Sequence, residues 1–424
     1  MSERKGMSFA IMGIGQAGNK IADCFAEHFT ALAINTAPQD LNSLKYIPED
    51  RRIHTKVNES GGAGKDIKLG EKAIRQYEPV ISNAIDIVFK KNVVDYVFIV
   101  GGLGGGTGTN GISQLSRILS KKGRKHGIIA TLPSKSEGTY EQINASAGIY
   151  MIEKARERFN KALRTVILVD NEQLKSMVLD ESDVKYEDVY EEMNKYIRDA
   201  FIDLYDFSQE SGEVNFDTTD YKKLFDIRGY MTFGKGIIKD VEDKSNTAMI
   251  QETQKLWDNN IFIGGSPKDA QGVAVVVNRP THLKDGKKID QLYEEVKNYF
   301  GAIHFAPGVY ATESKLKKLT ERFNKKPIEV YTLLAGLPAP KVIIENLNER
   351  ANKEGVTLKE KVKPIEINFD RSLLNYIVDD EVSELEDIED DFGMFTEDGD
   401  FAEVDEVKNK KLDWNKLKEL KDAE

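Results

Sequence analysis

Two groups of residues in this 424-residue chain have types and spacings suited to chemistry. The first is Gly101-Gly102-Leu103-Gly104-Gly105-Gly106-Thr107-Gly108-Thr109-Asn110-Gly111, which follows a β-branched and aromatic run at 93–100. That run reads as a buried parallel strand. Glycine at a strand end costs chain entropy, so something there requires bare backbone. Successive N–H groups can turn inward around an anion, and the Thr107 and Thr109 hydroxyls can donate to phosphate oxygens. A helix through Ile112, Leu115, Ile118 and Leu119 would aim its positive end at the same point. The alternative is a flexible hinge, and the order strand, loop, helix favours phosphate. The second group is Asn215-Phe216-Asp217-Thr218-Thr219-Asp220. If Asp217 and Asp220 begin a short helix through Tyr221, Leu224 and Phe225, their spacing puts both carboxylates on one face. Taken alone, the pair reads first as an N-cap followed by a solvated first-turn acid.

Further glycine clusters accompany these. Residues 8–12 read as a first strand, and Gly13-Ile14-Gly15-Gln16-Ala17-Gly18-Asn19 fits the dinucleotide fingerprint G-x-G-x-x-G. A nicotinamide enzyme would place an acidic residue at the end of its second strand. Here the strand at 31–34 ends in Asn35-Thr36, with no carboxylate before Asp40, and the cluster at 101–111 has no role in that scheme. Ser60-Gly61-Gly62-Ala63-Gly64-Lys65 lacks a Walker loop's first glycine, where Glu59 stands, and has Asp66 in the hydroxyl position. It is a loop beside phosphates or a surface turn.

The elements that must position these loops repeat as strand, loop and helix. Strands are expected at 126–133, before a loop with Glu137-Gly138, and at 166–169, ending in Asp170-Asn171-Glu172. Polar loops at strand carboxyl ends indicate an open α/β sheet with its ligand along that edge. The longest helical pattern runs from Tyr186 to Phe207, with Ser182-Asp183 as its start signal and Gly212 beyond its end. Its ~23 residues would span about 35 Å. Residues 227–336 carry strand-like runs at 227–234, 272–277 and 328–334, with amphipathic helices around 250–257, 292–300 and 316–323. No His, Cys or carboxylate cluster at metal-ligand spacing occurs there.

In this order the loops resemble those of the tubulin and FtsZ superfamily. Gly105-Gly106-Thr107-Gly108-Thr109 resembles its signature loop, Gln16-Ala17-Gly18-Asn19 the tubulin form of its first phosphate loop, and Asn215-x-Asp217-x-x-Asp220 the FtsZ catalytic loop. The resemblance runs from about residue 8 to residue 336. It implies a GTPase that assembles head to tail, with the acidic loop of one subunit against the γ-phosphate held by the next. On this reading Gly15, Gln16, Ala17, Asn19, Asn35, Gly62, Ala63, Gly64 and Gly104, Gly105, Gly106, Thr107, Gly108 and Thr109 bind GTP or GDP. Glu137 would hold the ribose. Asn171 and Asn194 would read the base, and Tyr190 would stack on it. Asp217 and Asp220, with Asn215, would orient the attacking water. A carboxylate near a triphosphate calls for Mg²⁺ on the β and γ oxygens. FtsZ-like proteins usually carry Arg four residues after the ribose glutamate, where this chain has Glu141.

The expected fold is α/β. It comprises a Rossmann-like parallel-sheet GTPase domain at 1–182, a long central helix at 183–212 and a second α+β domain at 213–340. A C-terminal helical extension at 341–376 and a tail at 377–424 complete it. One cysteine, Cys24, permits no internal disulfide and suits a reducing cytoplasm. No apolar stretch reaches the ~20 residues needed to cross a bilayer, so no membrane role is expected. The net charge of −11 is concentrated at 379–406, where 15 acidic residues occur among 28, leaving the rest of the chain at +4. The body therefore offers no dedicated nucleic-acid surface. Like charge should keep the acidic stretch disordered. The lysine-rich end carries Trp414, Leu417 and Leu420. With no FtsZ-like membrane-docking peptide, this end favours the TubZ-like branch, which moves plasmid or phage DNA and whose tails meet a DNA-bound adaptor. An FtsZ-type division protein is the alternative.

Overall fold

The computed structural model describes residues 6–358, apart from 58–60, 91–92, 182–183, 240, 242–243, 259, 281–285 and 313–326. The helix expected at 316–323, the Ser182-Asp183 start signal, the end of the expected helical extension beyond 358 and the acidic and lysine-rich tail lie outside the described residues.

The strands are β1 (Phe9–Ile14), β2 (Thr30–Asn35), β3 (Arg52–His54), β4 (Tyr96–Gly102), β5 (His126–Leu132), β6 (Leu163–Asp170), β7 (Gly229–Ile238), β8 (Phe262–Ile263), β9 (Gly272–Asn278), β10 (His304–Tyr310) and β11 (Ile328–Leu337). They form one sheet in the order β10-β9-β11-β7-β6-β5-β4-β1-β2-β3, with β8 paired to β6 off this path. From β3 to β6 the main path is parallel throughout. β11 runs antiparallel to both β7 and β9, while β10 and β9 are parallel. Parallel pairing of Thr165 with Gly229 and Val166 with Tyr230 joins β6 to β7, so the two expected halves share a continuous sheet.

The helices are α1 (Gly15–Phe25), α2 (Pro38–Asn42), α3 (Ile67–Gln76), α4 (Glu78–Val88), α5 (Gly106–Lys121), α6 (Thr139–Arg158), α7 (Asn171–Glu181), α8 (Val189–Phe207), α9 (Thr218–Asp226), α10 (Asn246–Asp258), α11 (Gly286–Phe300) and α12 (Lys341–Leu358). They cover both faces of the sheet, which is why its strands are almost continuously apolar. Side chains alternate between faces with period two. Along β4, Val97 and Ile99 enter a core shared with α5 and α6. Tyr96, Phe98 and Val100 enter the opposite core with α1, α8 and α9. In that second core Phe9 lies 5.0 Å from Phe201 of α8 and 5.5 Å from Phe225 of α9, both edge-on.

α8 differs from its expected span. It begins at Val189 after a 3₁₀ turn at Tyr186–Asp188, and its 19 residues extend about 28 Å. Exposed Tyr190, partly buried Asn194 and buried Met193, Ile197, Phe201 and Leu204 show its one-sided burial.

Candidate functional site

A cleft of about 370 Å³ opens at the carboxyl ends of β1, β2, β4 and β5. Two helices begin there without a side-chain cap. α1 follows Ile14 directly, and α5 follows Gly105. By contrast α3 is capped by Asp66, α9 by Asp217, and the first turn of α7 is capped by Asp170. An uncapped start leaves backbone N–H groups unsatisfied and a positive dipole end exposed, which together accept an anion. Residues 15–17 and 106–108, the opening turns of α1 and α5, line the cleft. The glycine stretch is thus a strand end running straight into a helix start.

Close backbone approach explains the glycines. Gly15 sits at φ +72°, the left-handed region that side chains disfavour. A Cβ on Gly108 would lie 2.4 Å from the Gly102 carbonyl oxygen, so α5 could not start this close to β4 with alanine there.

The cleft brings together most of the residues that the sequence singles out. Gly15, Gln16, Ala17, Asn35, Gly62, Ala63, Gly64, residues 104–108, Glu137 and Asn171 all line it. Asn19 does not. Its fully buried amide donates to Ile34 O at 3.0 Å and accepts from Ile34 N at 3.2 Å, fastening α1 to β2. Thr109 is also turned away, its hydroxyl donating to Leu103 O and Gly105 O and so holding the turn into α5. Tyr190 and Asn194, near the start of α8, lie outside the lining.

Other lining residues complete the site. The Thr36 hydroxyl meets the Thr107 hydroxyl at 2.8 Å and accepts from Ala63 N at 3.1 Å, joining the end of β2, the start of α5 and the loop at 61–66. Asp40 accepts from the Asn35 amide at 2.9 Å. One oxygen of Glu137 accepts from Ser134 N at 2.8 Å. Glu141, at the position that departs from FtsZ-like proteins, forms an ion pair with Lys65 at 2.5 Å. The readable signal for Thr36 was its place just beyond a parallel strand. For Lys65 and Glu141, separated by 76 positions in the chain, spacing carries no signal.

The acidic loop stands elsewhere. Asp217 Oδ1 accepts from Thr219 N at 2.7 Å and Asp220 N at 3.0 Å, so it caps α9. Asn215 accepts from Gly212 N at 2.8 Å and closes the turn before it. Asp220 lies 3.8 Å from both Lys223 Nζ and His304 Nε2. α9 is anchored at the amino edge of the sheet: Asp226 pairs with Lys125, just before β5, at 2.6 Å, and Thr165 Oγ1, near the start of β6, donates to Phe225 O. The cleft lies on the carboxyl edge of the same strands, and seven or eight residues of strand separate the edges by about 25 Å. One copy of the chain cannot bring its acidic pair to its own cleft.

Among the described residues no helix is long and apolar enough to cross a membrane. No group of three or more potential ligand side chains is placed to hold a metal ion there either.

Comparison with known proteins agrees with this arrangement. Residues 8–178 match the Tubulin/FtsZ family, GTPase domain. The chain is similar to the tubulin-like protein CetZ of Pyrococcus abyssi, with 29% identity over 343 residues covering 80% of this chain and 87% of the relative. Its fold is similar to that of a GTPγS-form protofilament of TubZ from Bacillus thuringiensis serovar israelensis, with TM-score 0.71, 20% identity and coverage of 84% and 93%. It is similar also to a GTPγS-bound protofilament of CetZ2 from Haloferax volcanii, with TM-score 0.66, 21% identity and coverage of 84% and 100%. With its phosphate-type cleft at one edge of the sheet and its acidic loop at the other, the chain carries at residues 8–178 a GTPase domain of the tubulin/FtsZ family.

Proposed function

We propose that this GTPase assembles head to tail into filaments and cleaves GTP where two copies meet. The observation that supports this is the separation of cleft and acidic loop on opposite edges of one sheet. Stacking copies with a common orientation places the Asp217 and Asp220 of one against the cleft of the next. The uncapped starts of α1 and α5 hold the phosphates. Glu137 holds the ribose, and Asn171 meets the base, with Tyr190 and Asn194 closing over it from the start of α8. The substrate would be MgGTP, the cation offsetting the charge of the triphosphate beside the neighbour's carboxylates. Phosphoryl transfer needs positioning and charge stabilisation above all, and the neighbour's carboxylates orient the water. The names of the protofilament neighbours agree with self-assembly.

The test is GTP turnover per chain against protein concentration. A steep rise across an assembly threshold is expected, and constant turnover down to demonstrably monomeric dilution would refute the divided site.

The finer role is cargo movement, with a DNA-bound adaptor meeting the C-terminal tail. It is supported by the sequence at 408–421, where lysines flank Trp414 and Leu417, and not by any surface of the described residues. Removing 408–424 should abolish capture of such an adaptor while leaving GTP turnover unchanged. Unaltered capture would remove this role.

A further inference from the structure

The mouth of the cleft holds an ion pair that the phosphate-binding backbone does not explain. Lys65 and Glu141 both line the cleft, and their charged ends meet at 2.5 Å. Lys65 is the one non-glycine among the described residues with positive φ, at 70°. A side chain in the left-handed region is strained relative to glycine, so its presence calls for a compensating interaction. Half of its side chain is exposed, at 51%, so the ammonium is free to move, whereas Glu141 is 17% exposed. The second carboxylate oxygen of Glu141, Oε2, is buried with no hydrogen-bond partner. Asn144 Nδ2 donates to both Lys65 O at 2.9 Å and Gly104 O at 3.0 Å, fixing the Lys65 backbone beside the glycine turn into α5.

An unsatisfied carboxylate at a site built for anions opposes the ligand unless its charge is matched. Lys65 matches it. The pair can also respond to ligand charge, because the terminal phosphate of a triphosphate competes with Glu141 for one mobile ammonium. We propose that Lys65 is a specificity-determining residue that distinguishes GTP from GDP, with its ammonium held by Glu141 in the empty cleft and shared with the terminal phosphate when a triphosphate enters. Glu141 is its positioning residue. Loss of the terminal phosphate returns the ammonium to Glu141. This rests on the GTPase reading of the cleft.

The experiment is titration of GTPγS and GDP into the full chain, kept below its assembly concentration, for the wild type and for Lys65→Gln, Lys65→Arg and Glu141→Gln. Loss of a charge-assisted contact lowers affinity about 10-fold or more. Lys65→Gln is expected to weaken GTPγS by about that factor and GDP by less than about 2-fold, while Lys65→Arg retains most of the discrimination. Glu141→Gln, which removes the competing charge and keeps the side-chain shape, should tighten GTPγS. Equal losses for both nucleotides in Lys65→Gln, or unchanged affinities, would overturn the inference while leaving the GTPase reading intact. A wild-type chain that binds neither nucleotide would overturn both.

Discussion

Substitution of Asp217 separates the two tasks that its position assigns it. The side chain caps α9 through Oδ1, which accepts from Thr219 N at 2.7 Å and Asp220 N at 3.0 Å. An asparagine carbonyl oxygen occupies the same place and caps a helix as well as aspartate does, so Asp217→Asn should change stability by only a few tenths of a kcal/mol. Asp217→Ala removes the cap and should cost about 1 kcal/mol. In a unit of this size that lowers the melting temperature by ~2 °C. Turnover should not follow the same order. If the carboxylate of one copy orients water in the cleft of the next, both variants lose it, and turnover falls about 10²- to 10⁴-fold in each. Nucleotide binding should survive, because the cleft lies on the other edge of the sheet, and filaments should form with GTP and fail to disassemble. Thermal unfolding, GTPγS titration and phosphate release above the assembly threshold distinguish these effects. An Asp217→Asn chain that releases phosphate at the wild-type rate would show that Asp217 serves only as a cap and would refute the divided reaction centre.

Gly108→Ala forces a Cβ to within 2.4 Å of Gly102 O, so the start of α5 must shift. The expected cost is about 1–3 kcal/mol in stability, with GTPγS affinity reduced at least ~10-fold in calorimetry. His126 is completely buried between the Ser116 hydroxyl at 2.8 Å and Arg124 O at 2.9 Å, and burial pushes its pKa down to about 4. Its unfolded value is about 6.5, so as pH falls below that value the unfolded chain takes up a proton that the folded chain refuses. The stabilisation is complete above pH ~6.5, declines by on the order of 3 kcal/mol down to pH ~4, and is constant below. Urea unfolding at several pH values should show this slope in the wild type and a flatter one in His126→Gln.

The parts of the molecule legible in the sequence are those where one residue type answers one physical demand. Glycine at the ends of β1 and β4, with apolar strands before and amphipathic helices after, located the cleft without reference to tertiary contacts. The acidic pair was legible as a cap and as a reaction group, and its geometry serves the first directly. Asn19 and Thr109 sit inside the right motifs, but their polar atoms are spent on Ile34 and on the turn at 103–105. A sequence cannot indicate which way a polar side chain turns. β10 escaped notice because Pro307 and Gly308 interrupt its pattern, which an edge strand tolerates. The Lys65–Glu141 pair required the packing of α6 beside the loop at 61–66, which no local pattern encodes.

Asp220 is followed immediately by Tyr221, fully buried with its ring 4.8 Å from Phe225 and 6.0 Å from Phe9. The carboxylates are therefore mounted on a densely packed interior and not on a pliant segment. A neighbouring molecule that docks onto this edge meets groups whose geometry is already fixed. Little conformational freedom remains to be surrendered on contact, so more of the contact free energy is retained as adhesion between copies.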